Sequence, residues 1–190
     1  MIRSLHALRC PATLTLPTRL LSAVLVVGLG LLTCAPLAIA DDLPEYQLKA
    51  AILYNFAAFT EWPDDVGRTL NLCVYGQDPF GEELGALQGK PVGGRSIGIH
   101  LNVSIEALKD CQLVFIASSA IGKLPRVLDS LRGAAALTVA DSPGATREGV
   151  ALNMGVSQNK IVFEANLDAA RRARLKLSSK LLRLAKEVLQ

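Results

Sequence analysis

Two short apolar runs constrain the fold of this chain more than any other feature. Gln112–Ala117 (QLVFIA) and Ala136–Ala140 (ALTVA) are almost continuously apolar over the length of a strand. Such runs are typical of central strands buried on both faces, because helices cover both sides of a parallel sheet. The pattern of Leu124–Leu131, between the two runs, predicts a helix. This strand–helix–strand order predicts an α/β fold with parallel strands.

Residues before these runs extend the same sheet. Apolar residues at helical spacing predict a largely buried helix over Glu45–Glu61. This helix ends at Trp62-Pro63, because the residue before a proline is pushed out of the helical region. Alternation and turn residues then predict a strand at Thr69–Tyr75, a short helix at Pro79–Leu87, a strand at Arg95–Val103 and a helical turn at Ser104–Asp110.

The C-terminal quarter no longer alternates buried strands with helices. Gly149–Met154 and Lys160–Ala165 are strand-like runs separated by turn residues, which predicts an antiparallel hairpin. Leu167–Val188 then predicts a long final helix with a leucine-rich packing stripe. The complete prediction is a Rossmann-like mixed α/β sheet flanked by helices, with a C-terminal β-hairpin and a long final helix.

The first forty residues have the pattern of a cleaved secretory signal peptide. A basic start, an apolar run and a small-residue cleavage site follow one another, at Arg3, Arg9 and Arg19, at Leu20–Leu32 and at Ala38-Ile39-Ala40. We therefore predict a signal peptide over residues 1–40 and a single exported domain over residues 41–190.

Two alternatives to cleavage after Ala40 remain open. An uncleaved membrane anchor is disfavoured because the apolar run is shorter than the roughly 20 residues that span a bilayer. Lipidation at Cys34 is disfavoured because Thr33 stands where a smaller residue usually precedes the modified cysteine.

Removing the leader also removes the net charge. The leader contains three of the 20 Lys and Arg residues and none of the 17 Asp and Glu residues, which leaves 17 of each sign. A neutral domain is unsuited to non-specific nucleic-acid binding. Basic residues nevertheless crowd the C-terminus, at Arg171, Arg172, Arg174, Lys176, Lys180, Arg183 and Lys186. Such a segment can lie near anionic lipid, although the solvated face of a terminal helix is the commoner arrangement.

Two of the four cysteines, Cys73 and Cys111, lie outside the leader. An even pair in an exported domain predicts a disulfide. Its loop of 39 residues, from 73 to 111 with both ends counted, would stabilise the fold by roughly 4 kcal/mol in the chain-entropy model. Two separately buried thiols are the alternative.

Residues 41–190 contain a single histidine, His100, which limits the enzyme chemistry available. A Ser-His-Asp hydrolase would have to use His100, which ends a predicted strand among apolar neighbours, so a structurally satisfied imidazole is the simpler interpretation. A zinc site needs three or four protein ligands. A phosphate-binding glycine loop opens a helix, whereas Gly93-Gly94 precedes a strand. We predict no catalytic residue, no metal and no cofactor, so a binding role follows by elimination.

Two single residues are candidates for a binding surface. Trp62 is the sole tryptophan and suits an interface, although packing where the first helix meets the sheet is the commoner role. Glu164 is predicted in the middle of a strand, exposed beside the final helix and opposite the face of Phe163 and Ala165. An ordinary solvent-facing strand residue is the alternative for Glu164.

Several motifs in order along the chain resemble the YfiR family. The first runs from Tyr46-x-x-Lys49 through Tyr54-Asn55-Phe56-Ala57 to Phe59-Thr60-Glu61-Trp62-Pro63. The others are Leu72-Cys73-Val74-Tyr75-Gly76, Asp78-Pro79-Phe80, Leu137-Thr138-Val139-Ala140-Asp141, Phe163-Glu164-Ala165-Asn166-Leu167 and Leu175-Lys176-Leu177-Ser178-Ser179-Lys180.

The resemblance implies a periplasmic repressor of an inner-membrane diguanylate cyclase of the YfiN type. It implies that the chain binds the periplasmic sensory domain of that GGDEF-type cyclase, keeping cyclic di-GMP and biofilm formation low. It also implies a homodimer and a structural disulfide between Cys73 and Cys111. Some members have a second cysteine pair near the C-terminal hairpin, which this chain lacks.

The resemblance places the partner surface on the hairpin edge and final helix, around Leu152, Glu164 and Ala170. Phe59 and Trp62 serve either a homodimer or the core. The alternative function is a periplasmic small-molecule-binding or accessory protein for another membrane signalling partner, since a shared fold does not determine the partner.

Overall fold

A computed structural model describes residues 45–190. The predicted signal peptide, its cleavage site and Cys34 lie outside these residues. The helices are α1 (Glu45–Ala58), α2 (Glu82–Gly85), α3 (Leu124–Ser130), α4 (Leu167–Arg172) and α5 (Ser179–Leu182), with 3₁₀ helices at Glu106–Asp110 and Ser118–Lys123. The strands are β1 (Thr60–Glu61), β2 (Thr69–Tyr75), β3 (Pro91–Val92), β4 (Arg95–His100), β5 (Leu113–Ile116), β6 (Leu137–Ala140), β7 (Leu152–Ser157), β8 (Lys160–Asn166), β9 (Lys176–Leu177) and β10 (Glu187–Leu189).

Eight of the strands form one mixed sheet in the order β10-β8-β7-β6-β5-β2-β4-β3. The five central strands, β7, β6, β5, β2 and β4, run parallel to one another. Strand β8 is antiparallel to β7, and β10 is parallel to β8. The predicted mixed α/β sheet flanked by helices is therefore confirmed.

Alternation within the central strands sends their side chains into two apolar layers. In β5, Leu113 and Phe115 join the layer that α1 covers, whereas Val114 and Ile116 join the layer beneath α3. All four residues are buried. This explains the continuous apolar run, because a strand covered on both faces has no polar side.

The predicted hairpin is confirmed as the antiparallel pair β7–β8, although its first strand spans Leu152–Ser157 instead of Gly149–Met154. Its turn residues Gln158 and Asn159 both have positive φ, 50° and 57°. This is the geometry of a type I′ turn, whose twist matches that of the two strands.

The prediction of a long final helix over Leu167–Val188 is wrong. Helix α4 ends after Arg172 because Arg174 adopts a left-handed conformation with φ 59°. The amides of Arg174 and Leu175 then bond the carbonyl oxygens of Arg171 and Ala170, at 2.9 Å each. These two bonds form a Schellman motif, which usually has glycine where this chain has Arg174.

The residues after this break return to β structure. Thr60 and Glu61 of β1 pair with Leu177 and Lys176 of β9, and β10 adds an edge to the main sheet beside β8. The first helix accordingly ends at Ala58 instead of Glu61, since the next residues belong to β1. Backbone pairing thus overrides the helical spacing of the apolar residues at both places.

Candidate functional site

A buried ion pair joins the start of α1 to the end of β6. Asp141 directly follows β6, at the carboxyl end of a parallel strand, where open α/β sheets usually hold their functional groups. Its Oδ2 atom accepts hydrogen bonds from Lys49 Nζ at 2.8 Å and from the Tyr46 hydroxyl at 3.0 Å. Lys49 Nζ also lies 2.6 Å from Glu45 Oε1. The result is a connected polar cluster, Glu45–Tyr46–Lys49–Asp141.

The cluster is removed from solvent at its centre. The side chains of Lys49 and Asp141 are only 4% and 3% exposed. Burial lowers the pKa of Lys49, but its bonds to Asp141 and Glu45 outweigh burial, so that pKa lies above its ordinary value. Burial and the hydrogen bond to Asp141 both raise the pKa of Tyr46. The ammonium therefore stays charged and the phenol neutral at physiological pH.

This polar cluster borders a groove beside the β-hairpin, which we call the hairpin groove. Its volume is about 340 Å³, and α1, the loop after β6, both hairpin strands and the segment before β10 line it. The lining residues include Glu45, Lys49, Asp141, Val156, Glu164 and Lys186. Within residues 45–190, Asp141 Oδ1 and Ser142 Oγ are buried without a hydrogen-bond partner. The groove therefore combines charged groups of both signs with the apolar side chain of Val156, which is 53% exposed.

Of the three residues predicted for the partner surface, only Glu164 reaches the hairpin groove. It is half-buried instead of fully exposed, because its Oε2 atom accepts a hydrogen bond of 2.8 Å from the Thr146 hydroxyl. Leu152 and Ala170 are 0% and 1% exposed and belong to the core. Leu152 pairs with Ala165 across the hairpin, so it packs beneath the surface that Glu164 presents.

The other sequence-predicted residues have structural positions. Cys73 and Cys111 form a disulfide with a Cα–Cα distance of 5.9 Å, as predicted. His100 is exposed, and its Nε2 atom lies 3.2 Å from Asn71 Oδ1. The Trp62 indole donates to the Ala57 carbonyl oxygen at 2.9 Å and packs against the core. Phe59 is 36% exposed.

The usual ligand position of such a sheet is closed by packing. The strand order reverses between β2 and β5, which is where open α/β folds bind ligands. Here Gly76 follows β2 with φ +102°, and a Cβ atom on it would lie 2.8 Å from Ala120 Cβ. Ser119 Oγ also accepts the Gln77 amide at 2.9 Å. The loop after β5 therefore fills the crevice.

A second cleft, of about 510 Å³, lies between α3 and α4 and includes Arg132 and Arg172 in its lining. None of the sequence-predicted binding residues lines it. In the part of the chain that the structure describes, no group of three His, Cys, Asp or Glu side chains is arranged to hold a metal ion. Across the same residues, every helix is too short or too polar to cross a bilayer.

The fold and the disulfide define the class: an α/β domain of doubly wound type, in which a disulfide joins β2 to the segment just before β5 and a hairpin with a groove extends the sheet. The chain belongs to the YfiR/HmsC-like family, whose model, DUF4154, matches residues 46–186. This family is regulatory.

Solved structures resemble the chain in fold alone. A conserved domain protein from Vibrio cholerae O1 biovar El Tor strain N16961 superimposes with a TM-score of 0.55 at 9% identity, covering 77% of this chain and 61% of its own. The ABC domain in complex with L-Trp from Streptococcus pneumoniae gives 0.51 at 8% identity, covering 76% and 60%. The chain thus spans about three fifths of each solved protein. No curated protein matches it.

The residues that sequence reasoning missed are Lys49 and Asp141. Both stand within the quoted family motifs, but nothing in their spacing pairs residues 92 positions apart. A signal was present in each case. Lys49 is a charged residue on the apolar face of α1, and Asp141 directly follows a fully buried strand.

Proposed function

We propose that this chain is exported to the periplasm by its first forty residues and there represses an inner-membrane diguanylate cyclase. It does so by binding the periplasmic sensory domain of the cyclase, which lowers cyclic di-GMP and biofilm formation. The observation that carries the proposal is the family match over residues 46–186.

The hairpin groove is the proposed contact surface. It offers Glu164 and Lys186 for polar contacts and the exposed Val156 for an apolar one. The ion pair Lys49–Asp141 fixes the wall of the groove opposite the hairpin. Leu152 acts on this surface through packing, because it is buried within the hairpin, whereas the buried Ala170 belongs to the core under α4.

Binding alone is sufficient for repression. A ligand shifts a two-state equilibrium by its difference in affinity for the two states. Moving the cyclase from almost entirely active to almost entirely inactive requires about 10⁴-fold tighter binding to the inactive state. A preformed groove can supply this discrimination without any catalytic group.

We also propose that the protein acts as a homodimer. Strand β10 lies at an edge of the eight-stranded sheet, which supports pairing between two copies. Sedimentation velocity tests this part of the proposal separately, with a concentration-independent monomer as the contradicting result.

Affinity co-purification from the native host tests the function. The full chain carries a C-terminal tag, and the retained membrane proteins are identified by mass spectrometry. A GGDEF-type cyclase among them, together with higher cyclic di-GMP in a strain lacking the gene, is the expected result. Recovery of no cyclase, with unchanged cyclic di-GMP in the deletion strain, contradicts the proposal.

A periplasmic small-molecule-binding or accessory role for another membrane signalling partner is the second candidate. The volume of the hairpin groove, about 340 Å³, falls within the usual range for ligand sites. The buried Asp141 Oδ1 atom offers an acceptor for a donor on the ligand. Because a protein of similar fold was solved with L-Trp, amino acids including L-Trp are suitable probes for calorimetric titration. Saturable binding that Gly155→Val abolishes would favour this role, and the absence of binding heat would dismiss it for these probes.

A further inference from the structure

The turn formed by α5 and the residues after it has two chemically different faces. Leu181 is 3% exposed and packs into the core, together with the partly buried Ala185. The amides of Arg183 and Leu184 bond the carbonyl oxygens of Ser179 and Leu181, so helical geometry continues through Leu184. Residues 180, 183 and 184 therefore share the outward face, since positions three and four apart are neighbours on a helix.

The outward face joins an exposed leucine to cations. Leu184 is 73% exposed, more than Phe59, Leu101 or Val156. Lys180 and Arg183 flank it. Lys186 follows it and is held beside the hairpin, because its backbone amide donates a hydrogen bond of 2.8 Å to the Phe163 carbonyl oxygen. We call these four residues the C-terminal basic patch.

The patch keeps its positive charge. Within the described chain, no carboxylate lies within 4 Å of Lys180, Arg183 or Lys186. The neighbouring carboxylate of Glu187 faces Arg147 at 3.6 Å. Basic residues further back in the chain differ, because Arg174 and Lys176 are paired with Asp65 and Glu61.

From this arrangement we propose that the C-terminal basic patch docks the protein on an anionic phospholipid surface. The three cations bind the headgroups, and Leu184 enters the boundary between headgroups and acyl chains. Interfacial binding sites combine basic residues and exposed apolar side chains in this way, because each part contributes to the affinity. Docking on lipid would confine the protein to the membrane plane, independently of which membrane protein it regulates.

Vesicle co-sedimentation tests the proposal without any cyclase present. The protein is produced from the full chain and mixed with phosphatidylcholine vesicles, with or without phosphatidylglycerol, at low and high salt. We expect binding only to the phosphatidylglycerol vesicles and release at high salt, because screening weakens the attraction between charges.

Two variants locate the binding. Lys180→Gln/Arg183→Gln should weaken lipid partitioning on the order of 25-fold, since each cation near an anionic surface contributes about 1 kcal/mol, a factor of about five. Lys186 is left unchanged because it also lines the hairpin groove. Leu184→Ser should weaken it about tenfold through lost apolar burial. The control Lys123→Gln/Arg126→Gln removes the same charge from exposed positions around α3 and should bind like the unchanged protein.

Three results would overturn the proposal. The first is equal sedimentation with and without phosphatidylglycerol. The second is an equal loss of lipid binding in the patch and control variants, which would show that only net charge matters. The third is normal lipid binding by the patch variants together with lost binding to an isolated protein partner in lipid-free solution, which would assign the patch to a protein contact. All variants keep the same N-terminus, so any contribution of the leader to lipid binding cancels.

Discussion

The two halves of the sheet contain different buried cross-links, a disulfide in one and an ion pair in the other. The stapled half comprises β2, β4, β5 and α3, where the disulfide joins Cys73 to Cys111 and the ligand crevice is filled. The hairpin half comprises β6, β7, β8 and α1, where the Lys49–Asp141 ion pair lies beside an open groove. The difference indicates that the first half maintains the fold and the second half presents the binding surface. Variants in the two halves should therefore separate stability from function.

Loss of the disulfide has the largest expected effect on stability. The variant Cys73→Ala/Cys111→Ala should lose about 4 kcal/mol of unfolding free energy in urea, because the covalent loop no longer restricts the unfolded chain. Where the variant remains folded, partner co-purification should be unchanged. A loss below about 1 kcal/mol, or selective loss of the partner from a folded variant, would contradict the division between the halves.

Removal of the buried ammonium comes next. Lys49→Met should cost about 3 kcal/mol, because it leaves the buried Asp141 carboxylate without its cation. Chemical denaturation measures the loss, with Arg132→Met as the matched control. That substitution breaks the exposed pair with Asp129 and should have no measurable effect. Equal effects of the two variants would show that the ion pair does not organise the hairpin half.

A methyl group at the closed crevice should have a smaller effect. Gly76→Ala should destabilise the fold by about 2 kcal/mol, because the residue has a positive φ and the added Cβ atom meets Ala120. The control Gly67→Ala adds the same methyl group where no atom lies within 4 Å and φ is not positive. Thermal unfolding measures the stability of both variants. A Gly76→Ala protein as stable as the unchanged protein would mean that the crevice can open.

The smallest effect appears only in alkaline solution. Both Lys49 and Tyr46 have pKa values raised above their ordinary values of 10.5 and 10.0. Their stabilisation is therefore complete below the ordinary values and is lost as pH rises through the raised ones. Unfolding free energy should fall above about pH 10, and less steeply in Lys49→Met/Tyr46→Phe. An identical alkaline slope in the double variant would contradict the assignment.

The sequence predicts the stapled half better than the hairpin half. Strands β5 and β6 could be predicted within a residue or two, because burial on both faces makes their runs apolar. The disulfide follows from an even cysteine pair, and the hairpin from its turn residues. These signals are local or nearly independent of tertiary contacts.

The misses depend on contacts between distant segments. The helical spacing of Leu175, Leu181 and Leu182 predicted one helix, whereas the left-handed Arg174 and pairing with Thr60 and Glu61 interrupt it. No local pattern shows that β1 needs a partner strand more than 100 residues later. The Lys49–Asp141 pair was missed for the same reason, since only the packing of α1 against the end of β6 brings its members together.

The central claim is that the hairpin groove is the regulatory surface, and filling the groove tests it most directly. Gly155 lines the groove and no atom lies within 4 Å of its Cβ position, so Gly155→Val narrows the groove. Gly67→Val makes the same change two residues before β2, where the Cβ position is also open.

Cyclic di-GMP is measured in a strain lacking the gene and complemented with each variant, after denaturation has shown that both fold with similar stability. We expect low cyclic di-GMP with the unchanged protein and with Gly67→Val, and high cyclic di-GMP with Gly155→Val. Full repression by a stably folded Gly155→Val protein would contradict it.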